Sequence, residues 1–370
     1  MDLGVALIGS GFMGKSHALA YRAVRAAFGD VPAPRLEIMC DRPLERAEIF
    51  ASQFGFSRAT DDWRAAVADP AIDIVSVTTP NDLHHDMVLA AAAAGKHIWC
   101  EKPLGLTLED GERMERAVRE AGVHSMIGYN YTHNPTIQHA KRLIAEGEIG
   151  RVTHFRGFVD EDYQADPETP WSWRCLRSRG GLGALGDLGC HLVSLAYVLV
   201  GPIESVLADM QTVHTDRPKR DGGRGPVENE DLASALVRFR DGFQGVLCTT
   251  RIAWGRKNKL AVEVHGEKGT LCFDQERLNE LQLFRNEGHT AVQGFRTILA
   301  GPSHPPYGAF IPGAGHSLGF NDQKTIELAA FLRTITGGAK SGPDITEALE
   351  YEKVIHGIAR SAETGARVVI

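Results

Sequence analysis

The chain has 370 residues, of which 43% are hydrophobic and 24% charged, a composition typical of a soluble globular protein with two domains. Its 40 basic and 47 acidic side chains give a net charge of -7, which offers no electrostatic basis for binding nucleic acid or an anionic membrane. No apolar run approaches the roughly 20 residues that span a bilayer, and the first residues are typical of a strand rather than a signal peptide, so we expect a cytoplasmic protein.

Short β-type runs alternate with helical stretches in the first part of the chain. The predicted strands cover residues 5–8, 36–39, 73–77, 97–100 and 124–127, and the predicted helices cover residues 15–28, 43–55, 82–94 and 108–121. Continuous apolar strands that alternate with helices indicate a parallel sheet covered on both faces. We expect a doubly wound α/β domain over residues 1–130.

The pattern changes to consecutive strands after residue 150. The predicted strands cover residues 151–159, 205–213, 231–239, 245–252, 260–265 and 270–274, and the predicted helices cover residues 187–200, 322–336 and 346–361. We expect an α+β domain with a large, mostly antiparallel open sheet over residues 131–370, with C-terminal helices able to pack back on the first domain. Residues 215–229 are predicted to be a mobile loop, and residues 302–319 an ordered arm.

A glycine-rich sequence, Gly9-Ser10-Gly11-Phe12-Met13-Gly14, follows the first strand and opens the first helix. In such a turn, Gly9 permits the tight bend, Gly11 lets the backbone approach a pyrophosphate, and Gly14 allows close packing of helix and strand. The helix N-terminus then binds the diphosphate through its N–H groups. The pattern predicts a Rossmann domain that binds a dinucleotide.

The acid that ends the second strand indicates which dinucleotide is bound. Asp41 can accept hydrogen bonds from the adenosine ribose and would repel a 2′-phosphate, which favours NAD. Arg42 follows it and could stack on adenine or pair with that phosphate, so NADP stays an alternative.

An ordered series of motifs continues beyond this fingerprint. It comprises Thr79-Pro80-Asn81-x-x-His84, Glu101-Lys102-Pro103, Asn130-Tyr131-x-x-x-Pro135 and Gly186-Asp187-x-x-x-His191. With these motifs, the whole chain resembles the glucose–fructose oxidoreductase, inositol dehydrogenase and rhizopine-catabolism (Gfo/Idh/MocA) family. That resemblance implies an NAD(P)-dependent dehydrogenase acting on CH–OH groups.

The resemblance also implies a catalytic set. His191 would be the general base for the substrate hydroxyl, protonated Lys102 would stabilise the developing alkoxide, and Asp187 would orient both. Asp187 and His191 are four residues apart on a helix and so share a face. The resemblance implies a cis peptide bond before Pro103. It assigns cofactor binding to Gly9, Gly11, Phe12, Met13, Gly14, Asp41, Arg42, Thr79, Asn81, His84, Glu101, Lys102 and Asn130.

Within the family, the chain looks like the branch that acts on cyclitols and cyclic sugars, of the scyllo-inositol and L-glucose type, with levoglucosan as an alternative substrate. Such uncharged rings need hydrogen-bonding groups rather than a counter-ion. The predicted substrate contacts are Lys102, Asp160, Tyr163, Arg177 (or Arg174), Asp187, His191 and His316. The family also implies a homo-oligomer, a tetramer, in which His316 acts on a neighbouring subunit's pocket.

Other functions are weighed against this one. A non-catalytic NAD(P)-responsive regulator would lack the Lys, Asp or His that this chain retains. An NAD-dependent glycosidase would release sugar without net NADH. The six cysteines are scattered without a Cys-x-x-Cys pair, and no other ligand spacing indicates a metal, so none is expected.

Overall fold

The computed structural model describes residues 2–370, which divide into two compact units. The first unit comprises the chain up to His133 together with Gly319–Glu350. The second unit comprises Asn134–Leu318 and Tyr351–Ile370. The division therefore lies at His133 rather than at residue 130, and a C-terminal segment belongs to the first unit.

The first unit is built on a parallel sheet. Its elements are β1 (Leu3–Ile8), α1 (Phe12–Ala27), β2 (Pro34–Cys40), α2 (Leu44–Phe54), β3 (Arg58–Thr60), α3 (Trp63–Ala68), β4 (Ile74–Val77), α4 (His84–Ala93), β5 (His97–Cys100), α5 (Leu108–Ala121) and β6 (Ser125–Ile127). The strands lie in the order β3-β2-β1-β4-β5-β6 and pair in parallel. This order is that of a doubly wound Rossmann sheet, which confirms the predicted fold class.

The second unit is built on a mixed sheet. Its elements are α6 (Pro135–Ala145), β7 (Val152–Asp160), α7 (Arg177–Gly180), α8 (Cys190–Val200), β8 (Ile203–Gln211), β9 (Asp216–Pro218), β10 (Arg224–Pro226), β11 (Leu232–Phe239), β12 (Gln244–Thr250), β13 (Lys259–Gly266), β14 (Gly269–Asp274), β15 (Glu280–Arg285), β16 (Arg296–Leu299) and β17 (Val368–Val369). Within residues 2–370, the large sheet has the order β16-β15-β14-β13-β7-β12-β11-β8-β17. β7 and β12 pair in parallel and the other pairs are antiparallel, as predicted.

Two long helices lie between β16 and β17 in the chain, α9 (Phe320–Ile335) and α10 (Ile345–Thr364). In the first unit, α9 packs along α1: the rings of Phe12 and Phe320 stack with centroids 5.5 Å apart, and Arg333 pairs with Asp30 at 2.8 Å. The side chains of residues 323–332 of α9 are all buried, and Lys324 and Glu327 are among them.

One face of the large sheet is buried by α6 and α8, and β11 alternates buried and exposed residues accordingly. The opposite face carries both apolar and charged side chains. Leu236 is 52% exposed and lies across from Leu207 and Val246. Arg156 and Glu263 occupy facing positions on the neighbouring strands.

The prediction that residues 215–229 form a mobile loop is wrong. β9 and β10 pair within it as a hairpin. The reason is Arg217, whose fully buried guanidinium donates to the carbonyl oxygens of Asp166 and Gln164 at 2.8 and 2.6 Å. These bonds pair two of its three nitrogens, while Nε is buried without a partner, and they fasten the hairpin to the segment that carries Gln164 and Asp166.

The segment Arg177–Val200 is long and apolar enough to cross a membrane by length and composition alone. Its most apolar window is 78% buried inside the protein. A buried core helix meets the same criteria, so the segment is weak evidence for a membrane span.

Candidate active site

The glycine-rich loop has the three properties that a dinucleotide requires. Gly9 has a φ of +103°, and a Cβ on Gly14 would lie 2.0 Å from the Gly9 carbonyl oxygen, so neither position accepts a larger residue. A Cβ on Gly11 would meet nothing within 4 Å. Gly11 therefore borders open space at the start of α1, where backbone N–H groups can bind a diphosphate. The residues fit the predicted cofactor.

Asp41 holds this loop in place. Its Oδ2 accepts a hydrogen bond from the Ser10 backbone N–H at 2.9 Å and another from the Ser10 hydroxyl, and Arg46 lies 3.3 Å from the same oxygen. The Arg42 side chain turns away and donates to the Asp61 carbonyl oxygen at 2.9 Å. Sequence analysis did not identify Ser10 or Arg46, although both lie close to fingerprint residues in the chain.

Lys102 follows β5 at the carboxyl edge of the parallel sheet, where open α/β folds bind their ligands. The Lys102–Pro103 peptide bond is cis, as the family resemblance implied. His84 is fully buried beside this turn, with Nδ1 2.9 Å from the Pro103 carbonyl oxygen and Nε2 3.1 Å from that of Thr79. Burial lowers the pKa of His84, so its ring is neutral and donates only one N–H.

Other predicted cofactor residues of the first unit are placed as follows. Phe12 is 72% exposed at the start of α1, and Met13 beside it is half-buried. The Thr79 hydroxyl lies 3.7 Å from the Met87 sulfur, and Asn81 opens a short 3-10 turn before α4. Asn130 and Glu101 are both buried. The Asn130 side-chain amide donates to Gln323 at 3.4 Å. The Glu101 carboxylate accepts hydrogen bonds from Lys324 and His17.

In the second unit, Asp187 lies in a π-helical turn, Leu185–Gly189, that leads into α8. Such turns are frequent at functional sites. The Tyr163 hydroxyl donates to Asp187 Oδ2 at 2.9 Å, and Arg174 Nε lies 4.0 Å from the same oxygen. Burial, with the nearby Asp187 carboxylate, holds the pKa of Tyr163 well above its usual value, so the phenol stays a hydrogen-bond donor. His191 is buried in the first turn of α8.

The structure distinguishes the two arginines that the sequence left open. Arg174 faces Asp187, whereas Arg177 donates to the Glu228 carbonyl oxygen at 3.0 Å and lies 3.8 Å from Glu363. Asp160 ends β7, where burial raises the pKa of its carboxyl. His316 is exposed, and its Nδ1 donates to the Ala314 carbonyl oxygen at 3.2 Å.

A buried polar network supports the segment that carries Tyr163 and Arg174. Arg251 pairs with Asp231 at 2.8 Å, both almost fully buried, and donates to Asn229 Oδ1 at 3.0 Å. Asn229 Nδ2 in turn donates to the Arg174 carbonyl oxygen at 2.7 Å. Since every member is bonded, the network fixes the backbone around Arg174.

Two family models match consecutive parts of the chain. Residues 3–129 match the model described as "Oxidoreductase family, NAD-binding Rossmann fold", and residues 137–272 match "GFO/IDH/MocA C-terminal domain". The chain belongs to the Gfo/Idh/MocA family.

Individual relatives agree with this assignment. The levoglucosan dehydrogenase of Pseudarthrobacter phenanthrenivorans is 38% identical over 375 residues, covering 98% of this chain and 96% of that protein. The scyllo-inositol 2-dehydrogenase (NAD(+)) of Bacillus subtilis is 28% identical, covering 76% of this chain and 77% of that protein. A solved structure of levoglucosan dehydrogenase in complex with NADH and levoglucosan matches with a TM-score of 0.97 at 37% identity, covering 100% of each chain.

This Gfo/Idh/MocA chain is an NAD-dependent dehydrogenase acting on CH–OH groups, with an NAD-binding Rossmann domain. Among residues 2–370, no group of three or more His, Cys, Asp and Glu side chains is arranged to hold a metal ion. The buried pair Lys324 and Glu327 was not identified from the sequence. The sequence pattern that could have revealed this pair is two oppositely charged residues, three apart, on the apolar face of a predicted helix.

Proposed function

We propose that this dehydrogenase oxidises a secondary hydroxyl of a cyclic polyol or pyranose sugar to the ketone (or to a lactone at an anomeric carbon), with levoglucosan as the first substrate to test. The observation that carries the proposal is the full-length similarity to a dehydrogenase solved with NADH and levoglucosan, at a TM-score of 0.97. A match of this length includes both the cofactor domain and the domain predicted to bind substrate.

Three side chains are proposed to carry out the chemistry. The bound nicotinamide supplies the hydride acceptor. His191 takes the proton from the substrate hydroxyl as general base. The Lys102 ammonium stabilises negative charge that develops on the same oxygen. Asp187 orients these groups, and the Tyr163 hydroxyl at 2.9 Å from Oδ2 fixes the Asp187 carboxylate.

The groups around Asp187 suit an uncharged, hydroxyl-rich ring. Tyr163 and Arg174 are hydrogen-bond donors near its carboxylate, which accepts. A ring with several hydroxyls can satisfy donors and acceptors at once, and a site with such paired requirements discriminates strongly against analogues that lack a hydroxyl. Arg174 therefore replaces Arg177 as the arginine that we assign to the substrate.

The active enzyme is proposed to be a cytoplasmic homotetramer, as the family resemblance implies. The open face of the large sheet supports a second copy of this chain as the covering partner. Leu236 is exposed on β11, while Arg156 and Glu263 have opposite charges and lie on the adjacent strands β7 and β13. A self-complementary face of this kind suits a two-fold contact between identical subunits.

The experiment is a substrate panel with purified protein and NAD. It compares levoglucosan, scyllo-inositol, myo-inositol, L-glucose and D-glucose by initial rates of NADH formation, with NADP in parallel. We expect the highest kcat/KM with levoglucosan and NAD. Levoglucosan has no free anomeric hydroxyl, so its product must be a ketone, which mass spectrometry identifies as a loss of two hydrogens.

A second candidate function is oxidation of scyllo-inositol or L-glucose, which the similarity to scyllo-inositol 2-dehydrogenase supports. The same panel decides between the two, since the higher kcat/KM identifies the preferred ring. An NAD-dependent glycosidase would instead release sugar from a glycoside while NADH fails to accumulate. No NADH with any of these sugars would overturn the proposed function.

A further inference from the structure

A cluster of buried, mostly ionisable side chains includes Glu101, the residue that precedes Lys102. Lys324 of α9 is fully buried, and its Nζ donates to Glu101 Oε1 at 2.6 Å and to Glu327 Oε2 at 2.8 Å. Glu101 also accepts from His17 Nε2 at 2.8 Å, and Glu327 accepts from Trp99 Nε1 at 3.1 Å. We call these five residues the Lys324 cluster; all of them lie in the first unit.

The charge states within the cluster follow from burial and from the partners. Burial by itself would raise the pKa of Glu101, but the Lys324 ammonium and the His17 hydrogen bond hold it well below its usual range. Burial lowers the pKa of His17 to about 4 and raises that of Glu327 to about 7, against the effect of Lys324. At neutral pH, Glu101 and Lys324 are therefore an ion pair beside a neutral His17.

A buried ion pair costs desolvation, and apolar replacements are often as stable. Its net contribution to the folding free energy is therefore small, and its effect on geometry is the more informative property. The Glu101 carboxylate packs directly against Gly128, where a Cβ would lie only 2.6 Å away. The carboxylate is thus held between Lys324, His17 and the backbone of Gly128.

The two residues that flank Lys102 are both fixed. The Glu101 backbone N–H donates to the Val77 carbonyl oxygen at 2.9 Å, and its side chain is held by the Lys324 cluster. On the other side, the Pro103 carbonyl oxygen lies 2.9 Å from His84 Nδ1. Lys102 therefore extends from a backbone that is anchored on both sides, and one anchor comes from a helix 223 residues later in the chain.

We propose that Lys324 is a positioning residue for catalysis: its ammonium holds the Glu101 carboxylate and so fixes the turn from which Lys102 reaches the substrate oxygen. This inference rests on the catalytic role of Lys102 in the proposed function. Lys324 itself touches neither substrate nor cofactor in this account. Misplacing a catalytic group by about 1 Å costs up to about 100-fold in rate.

The test compares Lys324→Met with Glu327→Gln, which removes a carboxylate of the same cluster but leaves the Lys324–Glu101 pair. We expect Lys324→Met to lower kcat about 10- to 100-fold, with KM for NAD and the NADH dissociation constant, measured by fluorescence, within about twofold of wild type. Glu327→Gln should keep kcat near the wild-type value. Equal losses in both variants, or an unchanged kcat in Lys324→Met, would overturn the inference.

A double variant covers the case in which Lys324→Met fails to fold. Lys324→Met with Glu101→Gln leaves Glu327 as the only carboxyl of the cluster, and burial keeps it protonated once Lys324 no longer lowers its pKa. The double variant should therefore fold, as thermal melting will report. Its kcat should stay low because the ion pair that holds the Glu101 side chain is missing. Recovery to the wild-type kcat would overturn the positioning role of Lys324 and show that Lys324 only balances the charge of Glu101. Lys102→Met is measured in parallel. If Lys102→Met keeps activity, the proposed chemistry fails; if it is inactive while Lys324→Met is fully active, only this inference fails.

Discussion

The hydroxyl of Tyr163 donates a hydrogen bond of 2.9 Å to Oδ2 of Asp187. Tyr163 is half-buried next to a carboxylate, and desolvation together with that charge raises its pKa, which keeps the phenol protonated. Asp187 lies in the π-helical turn that precedes His191. The tyrosine therefore holds the acid of the proposed catalytic set through a single bond that mutation can remove.

Tyr163→Phe should lower kcat/KM for the sugar about tenfold, since a hydrogen bond to a charged acceptor is worth about 1.4 kcal/mol or more. The NADH dissociation constant should not change. Steady-state kinetics and fluorescence titration measure the two quantities. Tyr197→Phe, which removes a hydroxyl from another tyrosine of the same unit, serves as the matched control. Equal effects of the two substitutions would show that the Tyr163 hydroxyl has no specific role.

Asp41→Ser should weaken NAD binding and improve the use of NADP. Asp41 both anchors Ser10 of the glycine-rich loop and would repel a 2′-phosphate. Arg42, which donates to the Asp61 carbonyl oxygen in this structure, could pair with that phosphate once its side chain changes rotamer. The measurement is kcat/KM for both cofactors in wild type and variant, with Asp61→Ser as the control at a neighbouring exposed acid. A wild-type preference for NADP would contradict the assignment of Asp41.

Stability should fall on acidification because buried histidines must stay neutral in the folded state. Burial lowers the pKa of both His17 and His133 from 6.5 to about 4. Their contribution is fully present above pH 6.5 and is lost as the pH falls toward 4, since only the unfolded chain binds the protons there. Glu327, whose pKa is raised to about 7, acts in the opposite direction and loses its contribution as the pH rises through 7.

His133→Leu isolates one of these terms. Each such proton changes the free energy of unfolding by about 1.4 kcal/mol per pH unit. The slope of unfolding free energy against pH between about 6 and 4.5 should therefore fall by up to that amount in the variant. Denaturant unfolding at a series of pH values gives the slope. An identical slope in wild type and variant would show that His133 binds its proton equally in both states.

His316→Ala tests whether a neighbouring subunit completes the site. It should raise KM for the sugar and leave NADH binding unchanged, because His316 is proposed to bond a substrate hydroxyl of a neighbour. Mixing His316→Ala with inactive Lys102→Met subunits, followed by subunit exchange, should restore part of the activity in hybrid oligomers. His304→Ala, in the same segment, is the control. A wild-type KM in His316→Ala, or a monomer by light scattering, would exclude this role.

The local features of the fold were predictable from sequence. Gly9, Gly11 and Gly14 act through the backbone of one turn, and the structure gives each the expected geometry. The same holds for the strands of the Rossmann sheet, whose apolar character follows from burial on both faces. The short strand β3 and helix α3 were missed because three to six residues show no clear period.

Features that depend on distant residues were not predictable. Lys324 and Glu101 are 223 residues apart, and nothing near either residue indicates the other. Arg217 is one polar residue among many in a Gly- and Pro-rich segment. In the structure it is nevertheless fully buried and donates to carbonyl oxygens of a different segment, which holds the hairpin in place. From the sequence alone, such charged residues are predicted to be exposed, because the partners that allow their burial are set by tertiary structure.

The most direct test of the central claim is the stoichiometry of the reaction of levoglucosan with NAD, in wild type and in Lys102→Met, with Lys96→Met as the control lysine. We predict one NADH for each ketone formed by wild type and by Lys96→Met. For Lys102→Met we predict a kcat lower by about 100-fold or more, with NADH binding retained. Near wild-type turnover by Lys102→Met, or ketone formed without NADH, would contradict the account.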